Sequence, residues 1–212
     1  MTRLIDISMP LRPGMPAWPG SPGVRYSNLK SITAGDDVNA TDAALDVHSG
    51  THVDAPLHFI GSGAAVETIE PARTVGAAHV VDTGDADPID SRTLESSGVP
   101  AGTTRLLLKT VNSRRDPAAP PGFDPDYCAL SPDGAEWIVD RGIELVGIDA
   151  LSIQKFNDPP DAHLTLLRAG VVILEGLTLA EAPVGECELI CLPLRMAGIE
   201  AAPARAVLRV EG

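Results

Sequence analysis

The 212-residue chain is short of several things, and each shortage closes off a class of function. Phe, Tyr and Trp together make up 3% of it, so any aromatic residue in an unusual setting carries information. Cysteine occurs three times, at Cys128, Cys187 and Cys191, too few and too odd in number for a disulfide framework. Positive charge is scarce: 16 Lys and Arg stand against 29 Asp and Glu, for a net charge of −13. That balance speaks against nucleic acid or an anionic membrane surface as a partner, since both require a basic patch. No apolar run approaches the ~18 residues of a membrane span. The opening Met1-Thr-Arg-Leu-Ile-Asp-Ile-Ser8 lacks the apolar core of a secretion signal, so a cytoplasmic location is expected. What remains, 44% hydrophobic and 21% charged residues, suffices for one core of ordinary size, and the expectation is a single domain over residues 1–212.

Histidine is also rare, with five in the chain, yet three of them fall in His48-Ser-Gly-Thr-His52-Val-Asp54-Ala-Pro-Leu-His58. A random scatter would put about a quarter of a histidine in such a window. Neutral imidazoles with a carboxylate are the ligand set favoured by Zn²⁺ and acceptable to Mn²⁺ or Fe²⁺, and mixed N/O sites with an open position are of the catalytic kind. The segment therefore reads as the centre of a metallohydrolase, against the plainer reading of a histidine-rich surface turn. On a straight strand His48 and His52 would lie roughly 13 Å apart, too far to converge on one ion. The chain must bend between them, and Gly50 supplies the freedom to do so. A helix would also bring the two together, but Gly50, Thr51, Val53 and Pro56 argue against one. The expectation is a strand ending at Val47 or His48, followed by a tight loop carrying the remaining residues.

Two more candidates lie far along the chain. Glu175 ends the apolar run Val171-Val-Ile-Leu174, where a carboxylate is costly unless paired or bound to metal. A salt bridge with an arginine such as Arg195 is the alternative. His163 follows the proline-bounded Asn157-Asp-Pro-Pro-Asp-Ala and lies one short helix upstream of Glu175, so the two can meet at one end of a helix–strand unit; otherwise it is a surface residue of a helix N-terminus. Trp18, in a loop dense in proline and glycine between Pro10 and Gly23, is either an aromatic wall for a substrate or an anchor for that loop. His79 has no acidic or histidine company and stays outside the site. Cys187 and Cys191 fall in an apolar stretch that reads as a buried strand rather than a metal motif.

The rest of the chain predicts strands at Leu4–Ser8, Val75–Val81, Arg105–Lys109, Leu145–Asp149 and Val171–Leu174. Asn112 to Pro125 is a surface loop. Ser131-Pro-Asp-Gly followed by Ala135–Arg141 and Gly142 has the cap, first-turn acid and closing glycine of a helix, and Asp161–Arg168 with Gly170 repeats the pattern. Alternating helices and strands imply an α/β domain with a mixed sheet.

The pattern His48-x-Gly-x-His52-x-Asp54-x-Pro-x-His58, with Asp6-Ile-Ser, Trp18-Pro-Gly, Gly147-Ile-Asp149, Ile173-Leu-Glu175-Gly and Glu188-Leu-Ile-Cys-Leu-Pro-Leu, resembles the metal-dependent cyclase family, which includes bacterial kynurenine formamidase and isatin hydrolase. The resemblance spans nearly the whole chain. It implies a swivelling β/β/α fold, in a homodimer or larger homo-oligomer. It further implies that His48, His52 and Asp54 hold one Zn²⁺, that Asp54 bridges to a second held by His163 and Glu175, that His58 donates and accepts protons, and that Trp18 contacts a small aromatic amide. The implied reaction is the arylformamidase step of tryptophan catabolism, N-formyl-L-kynurenine to L-kynurenine and formate. Hydrolysis of another amide, lactam or lactone is the alternative, and a metal-binding protein without catalysis is a third reading. One stretch departs from the formamidase pattern: Ala150-Leu-Ser-Ile-Gln-Lys-Phe156 stands where a Thr-Pro-Ser sequence is expected.

Overall fold

The computed structural model describes residues 2–114 and 122–211. In chain order the elements are β1 (Thr2–Asp6), β2 (Arg25–Lys30), β3 (Ala40–Ala44), β4 (His52–Asp54), α1 (Pro71–Thr74), β5 (Val75–Asp82), α2 (Ser91–Ser96), β6 (Arg105–Lys109), α3 (Pro132–Asp140), β7 (Leu145–Ile148), α4 (Asp161–Arg168), β8 (Val172–Glu175), β9 (Gly185–Pro193) and β10 (Ala201–Glu211). Strands β5, β6, β7 and β8 run parallel, each joined to the next through a helix, α2, α3 or α4 in turn. Antiparallel strands continue the sheet at both ends, β4 beside β8 and β9 beside β5. Long β10 pairs with both β4 and β9, which closes seven strands into a barrel-like arrangement, and β1 adds to the free part of β10. The mixed α/β sheet expected from the sequence is the one observed. The β2–β3 hairpin forms a separate, largely exposed ribbon.

Period-two alternation along the strands sorts the core into two. Leu107, Leu145, Val172, Leu174, Val53 and Leu208 point into the barrel. Leu106, Leu108, Val146, Ile148 and Ile173 point outward and pack beneath α3 and α4 through Ile138, Leu166 and Leu167. This alternation positions the site. On β8, Ile173 faces the helices, so Glu175, two residues on, faces them too; on β4, Val53 points inward, which turns His52 and Asp54 outward to the same layer. In the antiparallel pairing His52 lies opposite Glu175 and Asp54 opposite Ile173. Helix α4 presents Ala162, His163, Leu166 and Leu167 on its buried stripe, at the spacing of one helix face.

Local signals explain the helices. Ser131 caps α3 by accepting from the Gly134 N–H, with Pro132 in the first turn. Gly142 and Gly170 follow α3 and α4 in the left-handed conformation. The expected loop at residues 112–125 begins as a 3₁₀ turn, Val111–Arg114; its residues 115–121 lie outside the described residues. Among the described residues no helix is long and apolar enough to cross a membrane.

Candidate metal centre

The strand expected to end at Val47 or His48 ends instead at Ala44, and what was read as a loop at His52–Asp54 is strand β4. The cause is a turn centred on Asp46. Its carboxylate accepts from the His48 N–H at 3.0 Å, and its carbonyl accepts from the Ser49 N–H at 2.9 Å. That leaves His48 on a turn and commits His52 to the sheet. The bend the sequence required is present at Gly50, with φ +64°, and it brings the His48 and His52 rings to 4.9 Å. Opposite it, Gly176 has φ +67°, and a Cβ there would come 2.2 Å from the Gly50 carbonyl oxygen. The two glycines let the two halves of the site touch backbone to backbone, and Thr51 fastens them by donating to the Gly176 carbonyl at 2.5 Å.

Downstream of β4, Pro56 opens a 3₁₀ turn, Pro56–His58, whose His58 N–H donates to the Ala55 carbonyl at 3.0 Å. The turn swings His58 back until Nε2 is 3.9 Å from Asp54 Oδ2. All five candidate ligands and His58 thus converge. His48 Nδ1 is 3.1 Å from Asp54 Oδ1, and His52 Nε2 is 3.4 Å from Asp54 Oδ1 and 3.2 Å from Glu175 Oε2. His163 Nε2 is 3.2 Å from Glu175 Oε1 and 3.9 Å from Asp54 Oδ2. Among the described residues no arginine pairs with Glu175; its near neighbours are two imidazoles and the Ile153 N–H, which donates at 2.6 Å. His79 lies on β5, separated from β4 by β8, β7 and β6. Cys191 packs in the barrel core, its thiol pushed up to about 12 by burial.

The donor set fits a divalent ion. Asp54 is fully buried, yet among the described residues neither of its carboxylate oxygens has a hydrogen-bond partner, and His52 Nε2 has none either. The imidazoles approach Asp54 closely without the alignment of hydrogen bonds. A buried carboxylate left this way costs several kcal/mol unless a cation compensates it. Ligand-capable atoms of His52, Asp54 and Glu175 lie within 4.8 Å of one another, and so do those of His48, Asp54 and His58. Asp54 is common to both groups. The second grouping differs from the sequence expectation, which paired His48 with His52 and kept His58 apart.

The protonation equilibria follow from this crowding. Burial pulls the His52 imidazole down, but the Glu175 and Asp54 carboxylates outweigh it and raise the group to about 9. Burial likewise works against protonation of His48, and Asp54 turns the balance upward. Burial raises Glu175, while the His163 and His52 imidazoles outweigh it and hold the carboxyl well below the usual range. His58 is the exception: desolvation dominates and lowers it, so it is a neutral base near pH 7. A nitrogen of each buried imidazole is already committed away from the carboxylates, His52 Nδ1 to the Gly50 carbonyl at 2.8 Å and His163 Nδ1 to Gln154 Oε1 at 3.4 Å.

A cavity of about 230 Å³ opens beside the cluster, bounded by His48, His58, His163 and Glu175 on one side and Trp18, Phe59 and Phe156 on the other. Trp18 packs edge-on against Phe123 and Phe156, at 5.2 and 5.1 Å between centroids, while remaining 39% exposed, so it anchors its loop and walls the cavity at once. Phe59 stacks on His163 at 4.5 Å. Asp46, Gln154 and Phe59 were not anticipated from the sequence. Asp46 and Phe59 lie within or beside the histidine segment, but Gln154 has no spacing signal.

This fold is shared with solved structures described as metal-dependent hydrolases. The chain superposes on a structure described as a potential metal-dependent hydrolase with cyclase activity, with a TM-score of 0.85 at 32% identity over the whole of both chains. On the predicted metal-dependent hydrolase of Bacillus stearothermophilus it gives 0.84 at 31% identity, over 99% of this chain and 98% of that one. Isatin hydrolase A of Labrenzia aggregata shares the fold, with a TM-score of 0.84 at 22% identity over 100% of this chain and 94% of that one. Residues 5–155 match the family described as "Putative cyclase", and the chain belongs to that family. It is 37% identical to Cyclase-like protein 3 of Oryza sativa subsp. japonica and 36% identical to Cyclase-like protein 3 of Arabidopsis thaliana, in each case over 97% of this chain and 79% of the relative.

Proposed function

We propose that the protein is a metal-dependent amide hydrolase, and that an N-formyl aromatic amide, N-formyl-L-kynurenine foremost, is its substrate. One observation carries the reading: the buried Asp54 carboxylate, without hydrogen bonds, is shared by two groups of ligand atoms at the edge of an aromatic-walled cavity. In this proposal His48, His52, Asp54, His163 and Glu175 hold one or two divalent ions, Zn²⁺ or Mn²⁺. Such an ion, when bound, polarises a carbonyl and lowers the pKa of water towards neutrality.

The chain's own residues then have separate tasks. Trp18, Phe59 and Phe156 take the aromatic ring and exclude water from the scissile bond. His58 borders both cavity and cluster, and its lowered pKa leaves it able to accept a proton at Nε2 and return it to the departing aniline nitrogen. Asp54 supplies the charge that keeps His48 and His52 turned toward the cluster. The test is formate release from N-formyl-L-kynurenine by purified protein, with and without a chelator and after metal is restored. Turnover that ignores chelation would overturn the metal reading. Turnover of a cyclic amide such as isatin, with none of the formamide, would select the second reading, which the shared fold with isatin hydrolase A and the divergent 150–156 segment support.

A further inference from the structure

The divergent segment Ala150–Phe156 does more than border the cavity. It leaves β7, and its Ala150 carbonyl accepts from the Gly176 N–H at 2.7 Å, so it runs across the end of β8. There the Ile153 N–H donates to Glu175 Oε1 at 2.6 Å. The next residue, Gln154, is buried, and both ends of its carboxamide are engaged within the protein. Nε2, which can only donate, is given to the Asp158 carbonyl at 3.1 Å. Oε1, which can only accept, is thereby turned toward α4, where it lies 3.4 Å from His163 Nδ1 and 3.5 Å from the His163 backbone nitrogen. The backbone beneath is held as well, since Tyr127 donates its hydroxyl to the Gln154 carbonyl at 2.5 Å.

We infer that Gln154 is a positioning residue that fixes which nitrogen of His163 faces the metal centre. A neutral imidazole carries one N–H. Nε2 faces Glu175 Oε1 at 3.2 Å and Asp54 Oδ2 at 3.9 Å, while Gln154 Oε1 lies 3.4 Å from Nδ1. With an ion bound among these carboxylates the Nε2 lone pair would turn to it, and the acceptor at Nδ1 would keep the proton there. Phe59 stacked on the ring holds its plane. Metal-ligating histidines commonly donate their second nitrogen to an outer acceptor in this way, which orients the ring and strengthens it as a ligand. Gln154 borders the cavity, but each end of its carboxamide faces a partner within the protein. This inference rests on the metal reading above, but not on the identity of the substrate.

The experiment compares wild type with Gln154→Leu, which removes the acceptor at similar volume, and Gln154→Glu, which keeps an acceptor. Zinc affinity is measured by competition with a chromophoric chelator, and the imidazole nitrogens of the zinc-loaded protein are assigned by ¹⁵N NMR. His163 should be protonated at Nδ1 and ligating through Nε2 in wild type. Gln154→Leu should weaken one zinc equivalent by about 10–100-fold, while Gln154→Glu stays close to wild type. Equal weakening in both variants, or none in Gln154→Leu, would overturn the role. If Gln154→Leu fails to fold, the wild-type spectrum still decides, because ligation through Nδ1 contradicts the inference. Wild type that takes up no zinc at all would overturn the metal reading itself, and this inference with it.

Discussion

The cluster has two faces, and they are built differently. His52, Asp54, His163 and Glu175 are buried and placed by strand register and a helix stripe, with His52 held by the Gly50 carbonyl and Glu175 and His163 held by the 153–154 segment. His48 and His58 are half-exposed, with 21% and 28% of their side chains accessible, and stand on short turns on either side of β4. A dry, over-determined face is suited to holding an ion, since ligand positions cannot relax away from it. A face made of turns and open to the cavity is suited to meeting substrate and passing protons. Asp54 belongs to both.

The comparison can be broken most severely at its shared residue. Asp54→Ala should abolish bound metal on both faces and reduce turnover to background, as read by elemental analysis alongside kinetics; metal retained at the wild-type level would show that neither face depends on it. Next in size is His58→Ala. If the open face carries the proton, kcat falls by about 10²–10⁴-fold while the buried face keeps its metal. If metal instead falls in step with activity, His58 is a ligand and the two faces are two ion sites. The smallest effect concerns stability of the metal-free protein. The folded-state pKa of His52, about 9, lies above its ordinary value of 6.5, so its contribution is fully present below about 6.5 and is lost as pH rises through 9. Glu175, held low, contributes above its ordinary 4.5 and that contribution is lost as pH falls below it. Thermal melts of chelated protein should therefore drop by several degrees between pH 6.5 and 9.5, whereas metal-loaded protein, in which the ion replaces the proton, stays level. A flat profile for the chelated protein would contradict the carboxylate-raised imidazole.

Much of the buried layer was legible in advance because its signals are local. The capping serine and closing glycines frame α3 and α4, and the apolar runs around Leu107, Val146 and Ile173 are strands fully covered on both faces. The meeting of His163 and Glu175 followed from one helix–strand unit, whereas their place beside the histidine segment was implied by the family resemblance. Four things were not legible. Strand β4 is only three residues long, and it is a strand because β8 and β10 flank it, a fact that no window around His52 contains. The pattern of β10 is interrupted by Pro203 and gave no sign of an eleven-residue strand. Barrel closure depends on the β9–β10 seam, which is a property of the whole topology. Gln154 was invisible because a glutamine in an unpatterned loop has no periodicity to betray it.

The three-residue length of β4 has a consequence for how the protein comes into being. His52 is held opposite Glu175 on one edge and Pro203 on the other, so the residues that resemble a metal motif are ordered only when strands from far downstream arrive. Contacts of such long sequence separation form slowly, because loop closure is unfavourable until they are made. A nascent chain that has emerged through residue 155 would carry the whole histidine segment and no competent pocket. On the proposed metal reading, capture of an ion would be coupled to completion of the barrel, and an ion met earlier would find only an unordered His48–His58 segment.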